Sequence, residues 1–239
     1  DTVIVMAGGK GQAVMAFDQA TGDVVWKGGD FNIAQASPIL IAVDGETQLV
    51  AFGGMDVNGL DPATGRLLWS HPHDTSGDMN ISTPLWNPGN LLFLTSAYDG
   101  GSRMLQLAGN GTRTRVDEQW FTNRLRVHIG TVIRLDDFIV GSSGDFGPTP
   151  LTAIDVKTGE LLWQDRSFSR ANLLNASGTL VILDEDGVLG LAKATRAGLE
   201  VLARAEVLSS RAWTVPSLVG ASLYARDREQ IVKLDLPTS

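Results

Sequence analysis

Cysteine is absent from the 239-residue chain, which excludes disulfides, thiolate zinc sites and cysteine nucleophiles and leaves the redox compartment open. Positive charge is scarce. Lys and Arg total 19 against 27 Asp and Glu, for a net charge of −8. No basic run offsets this, which argues against a nucleic-acid binder. No apolar stretch approaches the roughly 18 residues of a membrane-spanning helix. Charged residues are only 19%, while 43% are hydrophobic, enough for a packed core rather than disorder. Glycine is plentiful, 27 residues, which points to many tight turns. The length suits one or two domains, and all-β folds of this size often form one.

The chain opens on Asp1 rather than Met, directly into the strand-like Thr2-Val3-Ile4-Val5-Met6, and residues 231–236 are strand-like too. These ends imply a missing upstream portion, so no signal peptide is there to be read.

One segment recurs. Residues 16–26, 59–69 and 153–163 share Asp-x-x-Thr-Gly-x-x-x-Trp, with Asp18, Gly22 and Trp26, then Asp61, Gly65 and Trp69, then Asp155, Gly159 and Trp163. A weaker copy keeps Trp120 after Ala108-Gly109-Asn110-Gly111, and another at 192–195 has lost both Gly and Trp. The four Trp follow one another at 43, 51 and 43 residues. Asp can accept hydrogen bonds from the amides ahead of it, and Gly supplies the positive φ that closes a turn. Trp offers a large ring with a polar N–H, suited to burial between neighbouring units. The motif therefore reads as a hairpin with a Trp wedge.

Two further strand-like runs lie between motifs, such as residues 38–43 and 48–52. Four strands in about 43 residues is the size of a β-propeller blade. The expected units are approximately 1–30, 35–71, 81–121, 129–165, 171–207 and 213–239, within one domain spanning 1–239. That is five to six blades' worth of all-β sequence, with strands lacking at both ends. A closed ring removes exposed strand edges, so either the chain is a fragment of a larger ring, the favoured reading, or other polypeptide completes its ends.

The repeated segment resembles the tryptophan-docking repeat of quinoprotein-like β-propellers, the pyrroloquinoline quinone (PQQ) repeat superfamily, and the overall pattern is most similar to the BamB-like group. The resemblance implies an eight-bladed ring and an exported, periplasmic or membrane-anchored protein. The family includes non-catalytic scaffolds as well as dehydrogenases, and its repeat is structural in both. In similar dehydrogenases the quinone lies against a Trp, often with a disulfide of adjacent cysteines, a calcium held partly by Glu and Asn, and a catalytic Asp. Without cysteine the disulfide is impossible, and no Glu, Asn and Asp set matches that motif. No cofactor is expected; PQQ with calcium is the alternative.

The loops entering the inner strands align on Ser37-Pro38, Thr83-Pro84, Thr131-Val132 and Thr214-Val215. Propellers usually bind at the rim where such loops converge. Gln35, Asn80, Arg126, His128, Arg170, Arg211 and Trp213 are the candidates there. Three Arg, a His and a Trp would suit an anionic group or a peptide carboxylate; ordinary polar capping of strand ends is the alternative. His71 and His73 could face one side of an extended chain and suit a metal, but no third ligand is evident, so a solvated loop is expected. Gly8-Gly9-Lys10-Gly11 lacks the rest of a phosphate loop. Asp184-Glu185-Asp186-Gly187 reads as a hairpin turn. Sequon matches at Asn80, Asn110 and Asn175 are short enough to arise by chance.

These readings favour a non-catalytic scaffold in the bacterial cell envelope that presents rigid loops, or exposed blade edges, to a protein partner. A PQQ- and calcium-dependent dehydrogenase, or a remnant of one, is the first alternative. A small-ligand or sugar-binding propeller with its mouth near Trp213 is the second.

Overall fold

The computed structural model describes residues 1–109, 113–147 and 149–236. The sequon and turn at Asn110, Gly111 and Thr112 lie outside the described residues. All regular elements described are β-strands. The chain forms two compact units, Asp1–Arg126 and Val127–Ser239.

The first unit contains three antiparallel sheets, each of strands consecutive in sequence. The first sheet is β1 (Thr2–Met6), β2 (Val14–Asp18) and β3 (Val24–Gly28). The second is β4 (Ile39–Val43), β5 (Glu46–Phe52), β6 (Asp56–Leu60) and β7 (Leu67–Pro72). The third is β8 (Leu85–Asn87), β9 (Leu91–Ser96), β10 (Gly101–Gly109) and β11 (Thr114–Thr122).

The second unit repeats the plan. Its first sheet is β12 (Ile133–Leu135), β13 (Phe138–Ser142), β14 (Leu151–Asp155) and β15 (Leu161–Asp165). Then come β16 (Asn172–Ala176), β17 (Thr179–Leu183), β18 (Val188–Thr195) and β19 (Gly198–Glu206). The last is β20 (Ser217–Val219), β21 (Ser222–Arg226) and β22 (Ile231–Asp235). These are the consecutive antiparallel meanders expected of propeller blades, four-stranded except for three strands in the first and last sheets.

The core lies between sheets. Val14, Ala16 and Trp26 pack with Leu49, Ala51 and Leu60 of the next sheet. Val50 and Phe52 in turn pack with Leu92, Leu94, Leu105 and Leu107. In the second unit Val140, Leu151 and Ala153 meet Leu173, Leu180 and Ile182. Second strands such as β17 are covered on both faces, which is why Leu180-Val181-Ile182-Leu183 is apolar without alternation. The outermost β19 is exposed almost throughout.

The repeated turns close by one chemistry. Asp18 Oδ1 accepts the Ala20 and Thr21 amides at 2.9 Å each. Asp155 Oδ1 accepts Lys157 and Thr158 at 2.8 and 3.0 Å. The glycine N–H donates to the same Asp's carbonyl in all three turns, at 2.9, 2.8 and 2.9 Å for Gly22, Gly65 and Gly159. Those glycines have φ of 76°, 72° and 71°. The amides from Thr21 and Ala20 hold the Asp18 carboxyl below the usual carboxylate range.

Two of the repeat Trp donate a hydrogen bond beyond their own sheet. Trp26 Nε1 donates to Pro62 O at 3.0 Å, inside the next sheet's turn. A Cβ on Gly65 would fall 2.4 Å from Trp26 Cε3. Trp163 Nε1 likewise donates to Thr195 O at 2.8 Å. Trp69 instead donates to Gln48 Oε1 at 2.7 Å, and Gln48 reaches Thr114 of the next sheet at 2.7 Å. Trp120 stands 6.0 Å from Phe93, ring to ring.

A register shift recurs between the last two strands of five sheets. It falls at Ala16/Phe17, Gly59/Leu60, Met104/Leu105, Ala153/Ile154 and Leu191/Ala192. The residue left unpaired immediately precedes the Trp position. In the degenerate copy that position is Ala203, opposite Leu191.

Gly22 and Gly65 share a φ but not a neighbourhood, because nothing lies within 4 Å of a Cβ at Gly22. Gly22→Ala should cost about 1–2 kcal/mol from backbone strain alone. Gly65→Ala should cost about 2–5 kcal/mol, because overpacking against Trp26 adds to that strain. Urea unfolding of both variants measures the difference.

Candidate functional site

In a four-stranded antiparallel meander, the loop entering the first strand and the turn between the second and third strands share one end of the sheet. In the second unit that end gathers side chains far apart in sequence. Arg170, with φ 46°, is the hub. Its Nη1 donates to His128 Nδ1 at 2.9 Å. Its guanidinium also reaches the Asp145 and Gly147 carbonyls at 3.3–3.4 Å. Arg170 Nε pairs with Glu185 Oε2 at 3.3 Å, and the same oxygen accepts Trp213 Nε1 at 3.0 Å.

Burial lowers the His128 pKa, the Arg170 charge lowers it further, and Asp145 opposes both. A neutral imidazole with Nδ1 as acceptor fits the arginine contact. Arg170 is thus spent on its neighbours and is not an open anion contact.

The Trp213 ring carries two other guanidiniums, Arg211 at 5.1 Å and Arg228 at 5.2 Å from its centroid. Both are exposed, and neither enters an ion pair among the described residues. Their alignment comes from Asp227. Its Oδ1 accepts the Glu229 and Gln230 amides at 2.8 Å each, and its Oδ2 accepts Ser209 and Ser210 at 3.2 and 2.9 Å. The Glu229 amide, with the other three, holds the Asp227 carboxyl low against the opposing effect of burial. The carboxylate therefore ties residues 209–210 to the turn that bears Arg228. Arg228 escapes sequence reading because it sits in a second-to-third strand turn. The only local signal is the Asx-turn at Asp227. Glu185, in the turn read from sequence as a simple hairpin, is likewise part of the cluster.

In the first unit Asn80 is fully buried. Its Nδ2 donates to the carbonyls of Gly53, Gly54 and His73 at 2.8, 3.1 and 3.1 Å, and its Oδ1 accepts Ser96 Oγ. Its own carbonyl accepts the Gln35 amide at 3.2 Å. Asn80 is a staple between sheets, and only Gln35 is exposed. Arg126 is half-buried at the end of this unit.

The solvated loop expected around His71 and His73 is corrected by burial. His73 is completely inaccessible and packs edge-on against Phe52 at 4.9 Å. Its Nδ1 accepts Arg103 Nε at 2.9 Å, and its Nε2 has no partner. Arg103 also pairs with Glu118 at 2.6 Å, and His71 lies 3.6 Å from that carboxylate. Arg103 and Glu118, on two neighbouring strands, thus engage these imidazoles.

Among the described residues no three His, Cys, Asp or Glu side chains come together as a metal site. No described helix is long and apolar enough to cross a membrane.

A family model described as outer membrane protein assembly factor BamB matches residues 1–165, well over half of the chain. The chain belongs to this PQQ-repeat family. Among solved structures, it is similar to BamB from Moraxella catarrhalis at 22% identity and a TM-score of 0.69. That match covers 98% of this chain and 69% of the other. It is also similar to a putative 6-phosphogluconolactonase from Bacteroides fragilis at 13% identity and a TM-score of 0.54, covering 83% and 65% of the two chains. At such identities both likenesses concern the fold. No curated protein matches the chain significantly.

In this BamB-family propeller, burial pushes the His73 pKa down to about 3, with Arg103 and His71 adding to the effect. The unfolded chain takes up that proton below about pH 6.5, but the native state does not until far lower. Stability is therefore lost as pH falls through this window. From pH 6.5 to 5 the protein should lose about 1–2 kcal/mol more than His73→Gln, measured by urea unfolding at each pH.

Proposed function

We propose that the protein is a non-catalytic scaffold of the bacterial cell envelope that binds a protein partner through the loop end of its second unit. The observation that carries this reading is Trp213 with Arg211 and Arg228 over its ring. Trp and Arg dominate the energetics of protein interfaces. Here both guanidiniums keep their donors open to solvent, while the indole is held by Glu185. Phe146, 79% exposed, lies in the neighbouring loop whose carbonyls grip Arg170. A partner segment carrying Asp or Glu beside an apolar side chain suits this surface.

Membership of a family described as outer membrane assembly factors supports a periplasmic location and a role within an envelope protein complex. The scaffold works without PQQ or calcium, since it needs only rigid presentation of these loops. The Asp227 and Arg170 networks supply that rigidity.

The test is affinity capture from envelope extracts, followed by titration of the captured partner. Trp213→Ala should weaken binding by about thirtyfold, equivalent to the roughly 2 kcal/mol of an interface hot spot. Arg211→Glu with Arg228→Glu should also slow association and flatten its salt dependence. Equal affinity across all three proteins overturns the reading.

A further inference from the structure

A concave surface lies in the first unit, lined by none of the Trp213 cluster's residues. A cleft of about 680 Å3 is lined by residues 8–10, 30–33 and Asp78. Its volume falls in the ~300–1,000 Å3 range of small-molecule sites. Its polar side chains are Lys10, Asp30, Asn32 and Asp78, and Phe31 is its aromatic member.

Three of these side chains, Asp30, Asn32 and Asp78, are held by hydrogen bonds. Asp30 Oδ1 accepts the Gly11 amide at 3.2 Å, which leaves its other oxygen without a protein donor among the described residues. Asn32 Nδ2 donates to Asp78 Oδ2 at 3.1 Å, joining loops 46 residues apart. Two adjacent glycines make room for that pair. A Cβ at Gly53 would fall 2.7 Å from Asn32 O, and one at Gly54 would fall 2.6 Å from Asp78 Cβ. The Gly54 amide donates to Asn32 O at 2.8 Å. Asp78 takes a left-handed φ of 57°, as Asp tolerates in turns. Two glycines thus make room for one amide beside one carboxylate at the cleft wall.

The composition decides the ligand class. Two carboxylates facing one Lys disfavour a phosphate or another strong anion. Too few acidic and imidazole groups converge for a metal ion. Mixed donors and acceptors remain: carboxylate and amide oxygens on one hand, ammonium and amide N–H groups on the other. A hydroxyl group uses both, donating once and accepting elsewhere. The half-buried Phe31 adds an apolar surface for C–H groups. We propose that this cleft binds a neutral carbohydrate, one to three sugar residues long, through Lys10, Asp30, Asn32 and Asp78.

The test is titration of the full chain with maltotriose, cellotriose and tri-N-acetylchitotriose, by calorimetry and saturation-transfer NMR, with inorganic phosphate as the charged control. At least one trisaccharide should bind saturably. Asp78→Asn and the exposed Lys10→Ala should each weaken it by about tenfold, with thermal unfolding to verify the fold. Trp213→Ala should bind the sugar unchanged, which separates this site from the partner surface. No saturation by any of the three up to about 10 mM overturns the proposal, because so weak an interaction is not a built site. Preferential phosphate binding, or sugar binding indifferent to both substitutions, overturns it equally.

Discussion

A tryptophan ring seated on the next sheet's turn sets the spacing of one blade from another. A meander of four strands cannot bury its two faces alone; it needs a neighbour on each side. Trp26 solves this geometrically, because Gly65 offers no side chain and the ring settles on bare backbone. The N–H to Pro62 then fixes its rotation. Dispersion contact and one directed hydrogen bond together define both distance and angle, whereas aliphatic contacts alone would leave the sheets free to slide. Trp163 reaches Thr195 in the same way. Trp69 reaches its neighbour indirectly, with Gln48 as the relay to Thr114.

The loop ends inherit their order from that spacing. Carboxylates inside the turns convert it into fixed side-chain positions. Asp227 gathers four main-chain amides and so aligns two loops around Trp213. Asp184 does a related task in the preceding sheet, accepting Asp186 and Val188, although burial leaves its pKa raised on balance. Asn80 is the neutral counterpart in the first unit, spanning three carbonyls. Each removes the backbone freedom that a binding surface would otherwise have to give up on meeting its partner.

The fold was legible because its determinants are local. Asp, Thr, Gly and Trp fall within nine residues, and the turn that Asp, Thr and Gly close needs no distant chain. The loop ends were legible only in part. Aligning inner strands brought out His128, Arg170, Arg211 and Trp213, which do meet within one unit. It gave no hint that Arg170 would be consumed by carbonyls 23 and 25 residues away. Nor did it separate Asn80, fully buried, from Gln35, exposed beside it. The same limit explains His73, whose fate depends on Arg103 and Phe52 and not on its own neighbours. Arg228 and the Asn32–Asp78 pair belong to turns that alternation of apolar residues does not describe.

The recurring bulge is independent of the side chains that usually flank it. In the fifth sheet the Gly and Trp of the repeat have gone, and the hairpin turns instead through Arg196 and Ala197, yet the slipped register survives opposite Leu191. Backbone geometry there is shared although the side chains that accompany it elsewhere are absent. The slipped rung therefore does not need the tryptophan beside it, and the outermost strand keeps the offset of its counterparts with a small Ala203 at the ring's position.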